Sequence, residues 1–202
     1  MNEVHRVIKH TLLNARFVFL TGIIFLVFSL HASAYSYSAM GDEPVIDGRE
    51  AMLLAIENKD VSTMLAALEV FHEELDFLQS KTMGNLTVQF KSAIKQKDFV
   101  KLKSLLDLTI YLMIENRLNK AYKDLDNYQV AKVLVMKSKL YLDILFPALD
   151  RSKKVDALNA MSAILKAVGN PGVFGVGQKA ANPEVFKQQQ DVLFSALQQF
   201  RL

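Results

Sequence analysis

The sequence predicts an all-α protein, a helical bundle or array of about five to seven helices built from antiparallel helical hairpins. Apolar residues recur at intervals of three or four along most of the chain after residue 48, as on the buried face of a helix. No segment shows the alternation of apolar and polar residues between turn signals that is typical of strands. The composition, with 51% hydrophobic and 22% charged residues, is that of a globular domain.

Residues 1–34 have the three-part order of a cleavable secretory signal peptide. Three basic residues precede the uncharged apolar stretch Phe17–Leu30, and an Ala-Ser-Ala sequence ending at Ala34 follows it. The alternative is a signal anchor that stays in the membrane. A spanning helix needs roughly 20 predominantly apolar residues, and Arg16 interrupts the extension of this stretch toward the N-terminus. We therefore expect cleavage near Ala34 and a periplasmic or extracellular location.

The charge and cysteine content of the remaining chain exclude several functional classes. The leader holds three of the 24 Lys and Arg residues and one of the 21 Asp and Glu residues, so the rest has a formal charge of +1. This near-neutral balance argues against nucleic-acid binding, which needs clustered basic side chains. The absence of cysteine excludes thiol catalysis, thiolate zinc sites, iron-sulfur clusters and covalently attached haem. We expect contact with a membrane only through the signal segment before cleavage.

Residues 35–47 mix Ser, Tyr, Gly and Pro without periodicity, which predicts a flexible lead-in. Residues 48–202 are then expected to form a single helical domain. The first part of this domain, Arg49–Leu78, has apolar residues at helical spacing.

A short pattern repeats at a spacing of 38 residues, Ala55-Ile56-x-x-Lys59-Asp60 and Ala93-Ile94-x-x-Lys97-Asp98. In both copies the aspartate stands where its carboxylate could accept hydrogen bonds from the first N–H groups of a new helix. This interpretation gives two helical hairpins. The alternative is that each Lys-Asp pair lies inside one longer helix.

The sequence of the second half of the chain predicts a central helix followed by three further helices. Leu102–Leu118 is apolar on nearly all sides, which is typical of a helix surrounded by others. Tyr128–Leu149 is helical in pattern, with Pro147 expected to kink or end it. Lys154–Val168 is the next helix, and Asn182 followed by proline predicts the start of the last one.

The segment 169–183 (GNPGVFGVGQKAANP) is the most unusual in the chain. It holds four of the eight glycines but keeps three apolar residues, Val173, Phe174 and Val176. Its glycine spacing imitates nucleotide-binding loops, but it follows a helix instead of a strand. We interpret it as an exposed loop whose apolar side chains contact a partner, and the alternative is that Phe174 packs back onto the bundle.

Candidates for catalysis are few, and we predict no catalytic residue. His72 is the one histidine beyond the leader, and no Gly-x-Ser-x-Gly sequence is present, which argues against a hydrolase with a Ser-His-Asp triad. Glu115 ends the apolar part of the central helix and is a candidate for a buried carboxylate in a cavity. An enzyme that uses only carboxylates ranks last among our hypotheses.

A metal or haem site is the alternative function. His72 and Asp76 are four residues apart and Glu69 is one turn earlier, so one helix could present all three to a divalent metal. The competing interpretation is a solvated acidic helix face on which His72 is a chance member.

The sequence thus favours an exported, non-enzymatic helical binding module without a cofactor. We expect it to engage an envelope or secreted protein, or a small ligand, through the loop 169–183.

Overall fold

The computed structural model describes residues 41–78, 84–172 and 176–201, and these residues confirm the all-α prediction. Residues Glu43–Leu202 form one compact unit. The described part of the chain also contains two short 3-10 helices, Phe146–Ala148 and Gln198–Phe200. Its eight α-helices are α1 (Pro44–Glu57), α2 (Val61–Val70), α3 (His72–Leu78), α4 (Leu86–Gln96), α5 (Phe99–Lys123), α6 (Tyr128–Leu145), α7 (Arg151–Ala167) and α8 (Pro183–Ala196).

Helix α1 begins earlier than the sequence predicts. The flexible lead-in was expected to reach residue 47, but residues 44–47 are helical and Val45 is buried. Pro44 explains the early start, because a proline at the first helical position has a suitable fixed φ and lacks an N–H that would have no partner there. The lead-in prediction is therefore wrong for residues 44–47, and residues 35–40 lie outside the described part of the chain.

The number of α-helices exceeds the expected range by one because the segment Arg49–Leu78 is divided twice. The first division is at Asp60, and the second is at Phe71, where α2 ends and α3 begins. Phe71 is fully buried. The apolar spacing continues through Phe71, so the periodicity contains no sign of this second break.

The first copy of the repeated pattern forms the turn between α1 and α2. The Asp60 N–H donates to the Ala55 carbonyl at 3.0 Å, and the Lys59 N–H donates to the Ile56 carbonyl at 3.1 Å. This pair of bonds is the Schellman arrangement that ends many helices. Lys59 has a φ of 55°, in the left-handed region. The Asp60 carboxylate then accepts from the N–H groups of Ser62 and Thr63 and starts α2.

The second copy forms the same turn between α4 and α5. The Asp98 N–H donates to the Ala93 carbonyl at 2.9 Å, the Lys97 N–H donates to the Ile94 carbonyl at 3.0 Å, and Lys97 has a φ of 55°. The Asp98 carboxylate accepts from the Lys101 N–H and starts α5. The prediction that both aspartates begin new helices is confirmed, and the alternative of longer uninterrupted helices is wrong.

A glycine inside α1 allows α1 and α2 to pack closely. A Cβ atom on Gly48 would lie 2.1 Å from Phe71 Cδ1, so any larger residue would displace the ring. The Phe71 ring also packs edge to face against Phe90 of α4, with 5.7 Å between the centroids. Gly48 therefore helps to join the first hairpin to the second.

Helix α5 is the centre of the fold, as its apolar sequence predicts. It contacts α1, α3, α4, α6 and α8, and most of its residues between Leu102 and Leu118 are buried. The buried Thr109 hydroxyl donates to the Leu105 carbonyl at 2.8 Å, so burial leaves it hydrogen-bonded. Helices α7 and α8 form a further hairpin, in which α8 contacts α5.

The helix ends in the second half agree with the sequence. Helix α6 stops at Leu145 and a 3-10 turn containing Pro147 follows, while the Asn182 side chain accepts from the Val185 N–H at the start of α8. Over the three described ranges, no helix combines the length and hydropathy needed to cross a bilayer.

Candidate functional site

The loop between α7 and α8 has a closed base. Asn170 and Lys179 form an antiparallel bridge through two backbone hydrogen bonds of 2.7 and 2.8 Å. The Asn182 N–H also donates to the Ala167 carbonyl at 2.7 Å, which joins the start of α8 to the end of α7. The backbone of the loop is thus tied at its root by hydrogen bonds that do not depend on the side chains.

Two glycines allow the backbone on the two sides of this loop to approach closely. Gly169 has a φ of 83°, and a Cβ atom there would lie 2.5 Å from the Lys179 carbonyl oxygen. Gly172 has a φ of 74°, and a Cβ atom there would lie 2.6 Å from the Val176 carbonyl oxygen. Both positions therefore require glycine for conformation and for space. Gly177 shares the positive φ, but a Cβ atom there would meet nothing within 4 Å.

The loop presents an apolar side chain to solvent. Val176 is 79% exposed, and its backbone carbonyl lies close to Gly172. Val173 and Phe174, the other two residues of the candidate partner site, lie outside the described part of the chain. Lys179 is the one charged residue between positions 169 and 182, so the loop is nearly neutral.

The candidate metal ligands are not gathered into a ligand set. The His72 ring Nδ1 lies 2.9 Å from the Glu69 backbone carbonyl and 3.9 Å from the Glu69 carboxylate, and the ring is largely exposed. The Asp76 carboxylate accepts from Thr87 at 3.3 Å. No group of three or more His, Asp or Glu side chains among the described residues could hold a metal ion. In the described part of the chain, Glu69, His72 and Asp76 therefore do not form a ligand set for a divalent metal.

The surroundings of His72 favour its charged form. The bond to the Glu69 carbonyl raises the pKa of the imidazole above its ordinary value, and the nearby acidic side chains act in the same direction. An exposed imidazole beside acidic side chains on one helix agrees with the competing interpretation, a solvated acidic face.

The structure places Glu115 beside a tyrosine. The Tyr111 hydroxyl donates to the Glu115 carboxylate at 3.1 Å, and Glu115 is half-buried. Burial and this carboxylate together raise the pKa of Tyr111 to about 12. Glu115 thus has a structural partner, and it does not line the surface cleft between α1 and α5 described below.

A buried ion cluster joins the start of α1 to α5 and α6. The Glu43 Oε2 atom accepts from Arg117 Nη2 at 2.5 Å and from the Tyr141 hydroxyl at 2.8 Å. Lys137 Nζ lies 2.8 Å from Glu43 Oε1, and the Arg117 guanidinium lies 4.2 Å from the centroid of the Tyr141 ring. Glu43 is only 8% exposed, so one buried carboxylate faces two cations and a phenol.

The partners of Glu43 keep it ionised. Burial alone would raise the pKa of the carboxyl, but Lys137, Arg117 and Tyr141 more than offset this effect, so the pKa lies below its ordinary value. The sequence analysis missed this cluster because Glu43 is 74 residues before Arg117 and 98 before Tyr141. No local spacing signals such a contact, and Glu43 was assigned to the lead-in.

A surface cleft lies between the last turns of α1 and the first turns of α5. Its volume is about 530 Å³, and it is lined by three apolar residues and two charged ones, namely Leu53, Ile56, Phe99, Glu57 and Lys103. None of these five residues was a candidate site residue in the sequence, where Ile56 was noted only as part of the repeated pattern. Comparison with known protein families, curated proteins and solved structures finds no match to the chain.

Proposed function

We propose that the chain is an exported, non-enzymatic helical module that binds a partner protein through the loop 169–183. The observation that carries this proposal is an exposed apolar side chain, Val176, on a loop whose base is closed by the backbone bridge between Asn170 and Lys179. A loop whose two ends are already joined by hydrogen bonds loses less conformational entropy on binding than one whose ends are free. Apolar side chains that become buried are the usual source of binding energy at such contacts.

The length of the loop supports a role beyond chain reversal. The connection between α4 and α5 needs only Lys97 and Asp98, whereas residues 168–182 connect α7 and α8. Connections of more than about 12–15 residues without helices or strands are uncommon, and many of them are functional.

Site-specific photocrosslinking tests the partner prediction. A photoreactive amino acid replaces Val176 in the full chain, and the control carries it at Val100, which is equally exposed at 79% but lies at the start of α5. After irradiation of cells that express the chain, we expect a discrete protein adduct from position 176 and none from position 100. No adduct at position 176, or the same adducts at both positions, would contradict the proposal.

Purified components then test the affinity. With the crosslinked partner identified by mass spectrometry, Val176→Asp should weaken its binding at least about tenfold, because a buried charge replaces an apolar contact. Val100→Asp is the matched control and should bind like the wild type. Equal affinities of the wild type and Val176→Asp would remove the loop from the interface.

The leader sequence supports the proposed export. Mass spectrometry of the protein recovered from fractionated cells should show a chain that begins at Tyr35, in the periplasmic or extracellular fraction. An intact N-terminus in the membrane fraction would favour the signal-anchor alternative. Recovery of the intact chain from the cytoplasm would contradict export.

A further inference from the structure

The cleft between α1 and α5 has an apolar floor. Ile56 is buried, and the half-buried Leu53 and Phe99 pack against the core beneath it. Its volume of about 530 Å³ lies within the range of roughly 300–1,000 Å³ that is typical of small-molecule sites. The space therefore suits a small ligand with apolar side chains.

The two charged residues that line the cleft have opposite signs and come from different helices. Glu57 is the last residue of α1, and Lys103 lies near the start of α5. The ion pairs of the described residues involve other side chains, so Glu57 and Lys103 do not neutralise each other across the cleft. An anion and a cation that flank an apolar floor complement a ligand that carries both charges and an apolar body.

We infer that this cleft binds a short apolar peptide with free termini, whose ammonium group faces Glu57 and whose carboxylate faces Lys103. A peptide of two or three apolar residues carries one charge at each end and apolar side chains between them, which matches the lining. This site is separate from the loop 169–183, so it adds a small ligand to the proposed partner protein.

Both repeated turns contribute to the position of the cleft. Helix α1 ends at the first turn, with one residue between it and Lys59-Asp60, and α5 begins at the second, immediately after Lys97-Asp98. The Schellman bonds of the first turn fix the end of α1, and the Asp98 cap of the second turn fixes the start of α5. The backbone on which the two charged side chains stand is thus ordered before a ligand binds, which lowers the entropic cost of binding.

Calorimetric titration with leucyl-leucine tests the inference, with N-acetyl-leucyl-leucine amide as the uncharged control ligand. We expect saturable binding of the free dipeptide and binding of the blocked form that is weaker by at least about fivefold. Glu57→Gln and Lys103→Met should each weaken the free dipeptide about two- to fivefold, as expected for exposed charge pairs. All four side chains changed in these variants and their controls are solvent-exposed, and circular dichroism checks that each variant is folded.

Matched variants on the same two helices serve as controls. Glu50→Gln on α1 and Lys120→Met on α5 remove the same charges away from the cleft and should bind like the wild type. Val176→Asp should also leave dipeptide affinity unchanged, which separates this site from the loop. The inference is overturned if leucyl-leucine shows no saturable binding, if the blocked form binds equally well, or if the cleft variants match their controls.

Discussion

The turns of the repeat and the loop 169–183 both reverse the chain between packed helices, but they do so in opposite ways. The turn at Lys97-Asp98 uses two residues, a left-handed lysine and a capping aspartate, whereas residues 168–182 connect α7 and α8. The short turn shows how little chain a hairpin needs. The additional residues of the long loop are therefore not required for reversal, and the hydrogen-bonded base that carries them is the reason to propose a function for them.

Glycine has a different place in the two regions. In the first hairpin the essential glycine, Gly48, lies within a helix and allows the ring of Phe71 to approach, while the turn itself contains none. In the α7–α8 hairpin the glycines are in the loop, where Gly169 and Gly172 let backbone contact backbone. Substitutions that add a single Cβ atom can test each of these assignments.

The largest effect is expected in the loop. Gly169→Ala combines a positive φ with a Cβ atom 2.5 Å from a backbone oxygen, so we expect a loss of about 2–4 kcal/mol in the free energy of unfolding. Gly177→Ala is the control, because it shares the positive φ in open space and should lose only about 1 kcal/mol. Urea unfolding measures both, and equal losses would mean that the loop backbone is not closely packed.

The next largest effect is expected in the first hairpin. Alanine is a better helix former than glycine by about 1 kcal/mol, yet Gly48→Ala should destabilise the protein by about 1–2 kcal/mol because the Phe71 ring must move. The double variant Gly48→Ala with Phe71→Leu should recover part of the loss. A stabilised Gly48→Ala variant would contradict the close packing of α1 on α2.

A smaller effect of opposite sign is expected at the repeated turns. Lys59 and Lys97 both adopt the left-handed conformation that glycine accepts without a steric cost. We therefore expect Lys59→Gly and Lys97→Gly each to stabilise the protein by about 0.5–1 kcal/mol. The alanine variants Lys59→Ala and Lys97→Ala control for loss of the side chain and should show no such gain in urea unfolding.

The smallest effect concerns the charge of a cap. Hydrogen bonds from Thr63 and Ser62 lower the pKa of Asp60 from 3.8 to about 2. Because the folded-state pKa is depressed, the stabilising contribution is complete above the unfolded value and is lost as the pH falls through about 2. The stability difference between the wild type and Asp60→Asn should therefore shrink between about pH 4 and about pH 2. A difference independent of pH would show that the charge of the cap is not involved.

The sequence predicts features that depend on neighbouring residues and misses those that depend on distant ones. The caps at Asp60, Asp98 and Asn182 were predicted correctly because cap residues act on N–H groups two or three positions away. The break at Phe71 was missed because a buried aromatic residue fits the helical spacing on both sides of it. The metal hypothesis depends only on the helical spacing of Glu69, His72 and Asp76. That spacing does not determine whether the three side chains approach one another closely enough to bind one ion.

The candidate sites also combine features visible in the local sequence with features that depend on distant residues. The glycine content distinguishes the loop 169–183 in the sequence. The need for glycine at Gly169 and Gly172 is seen only in the structure, where each lies against the backbone on the other side of the loop. The cleft between Glu57 and Lys103 joins residues 46 positions apart on two helices, and no pattern within either helix distinguishes them from ordinary surface charges.

The ion cluster at Glu43 sets a limit on how far the chain can be shortened from its N-terminus. Removal of residues up to Asp42 would leave the carboxylate in place between Arg117 and Lys137, whereas removal of one further residue would leave two cations facing each other beside Tyr141. The last position before α1 thus belongs to the folded unit as firmly as any residue within a helix, although the local sequence places it in a linker.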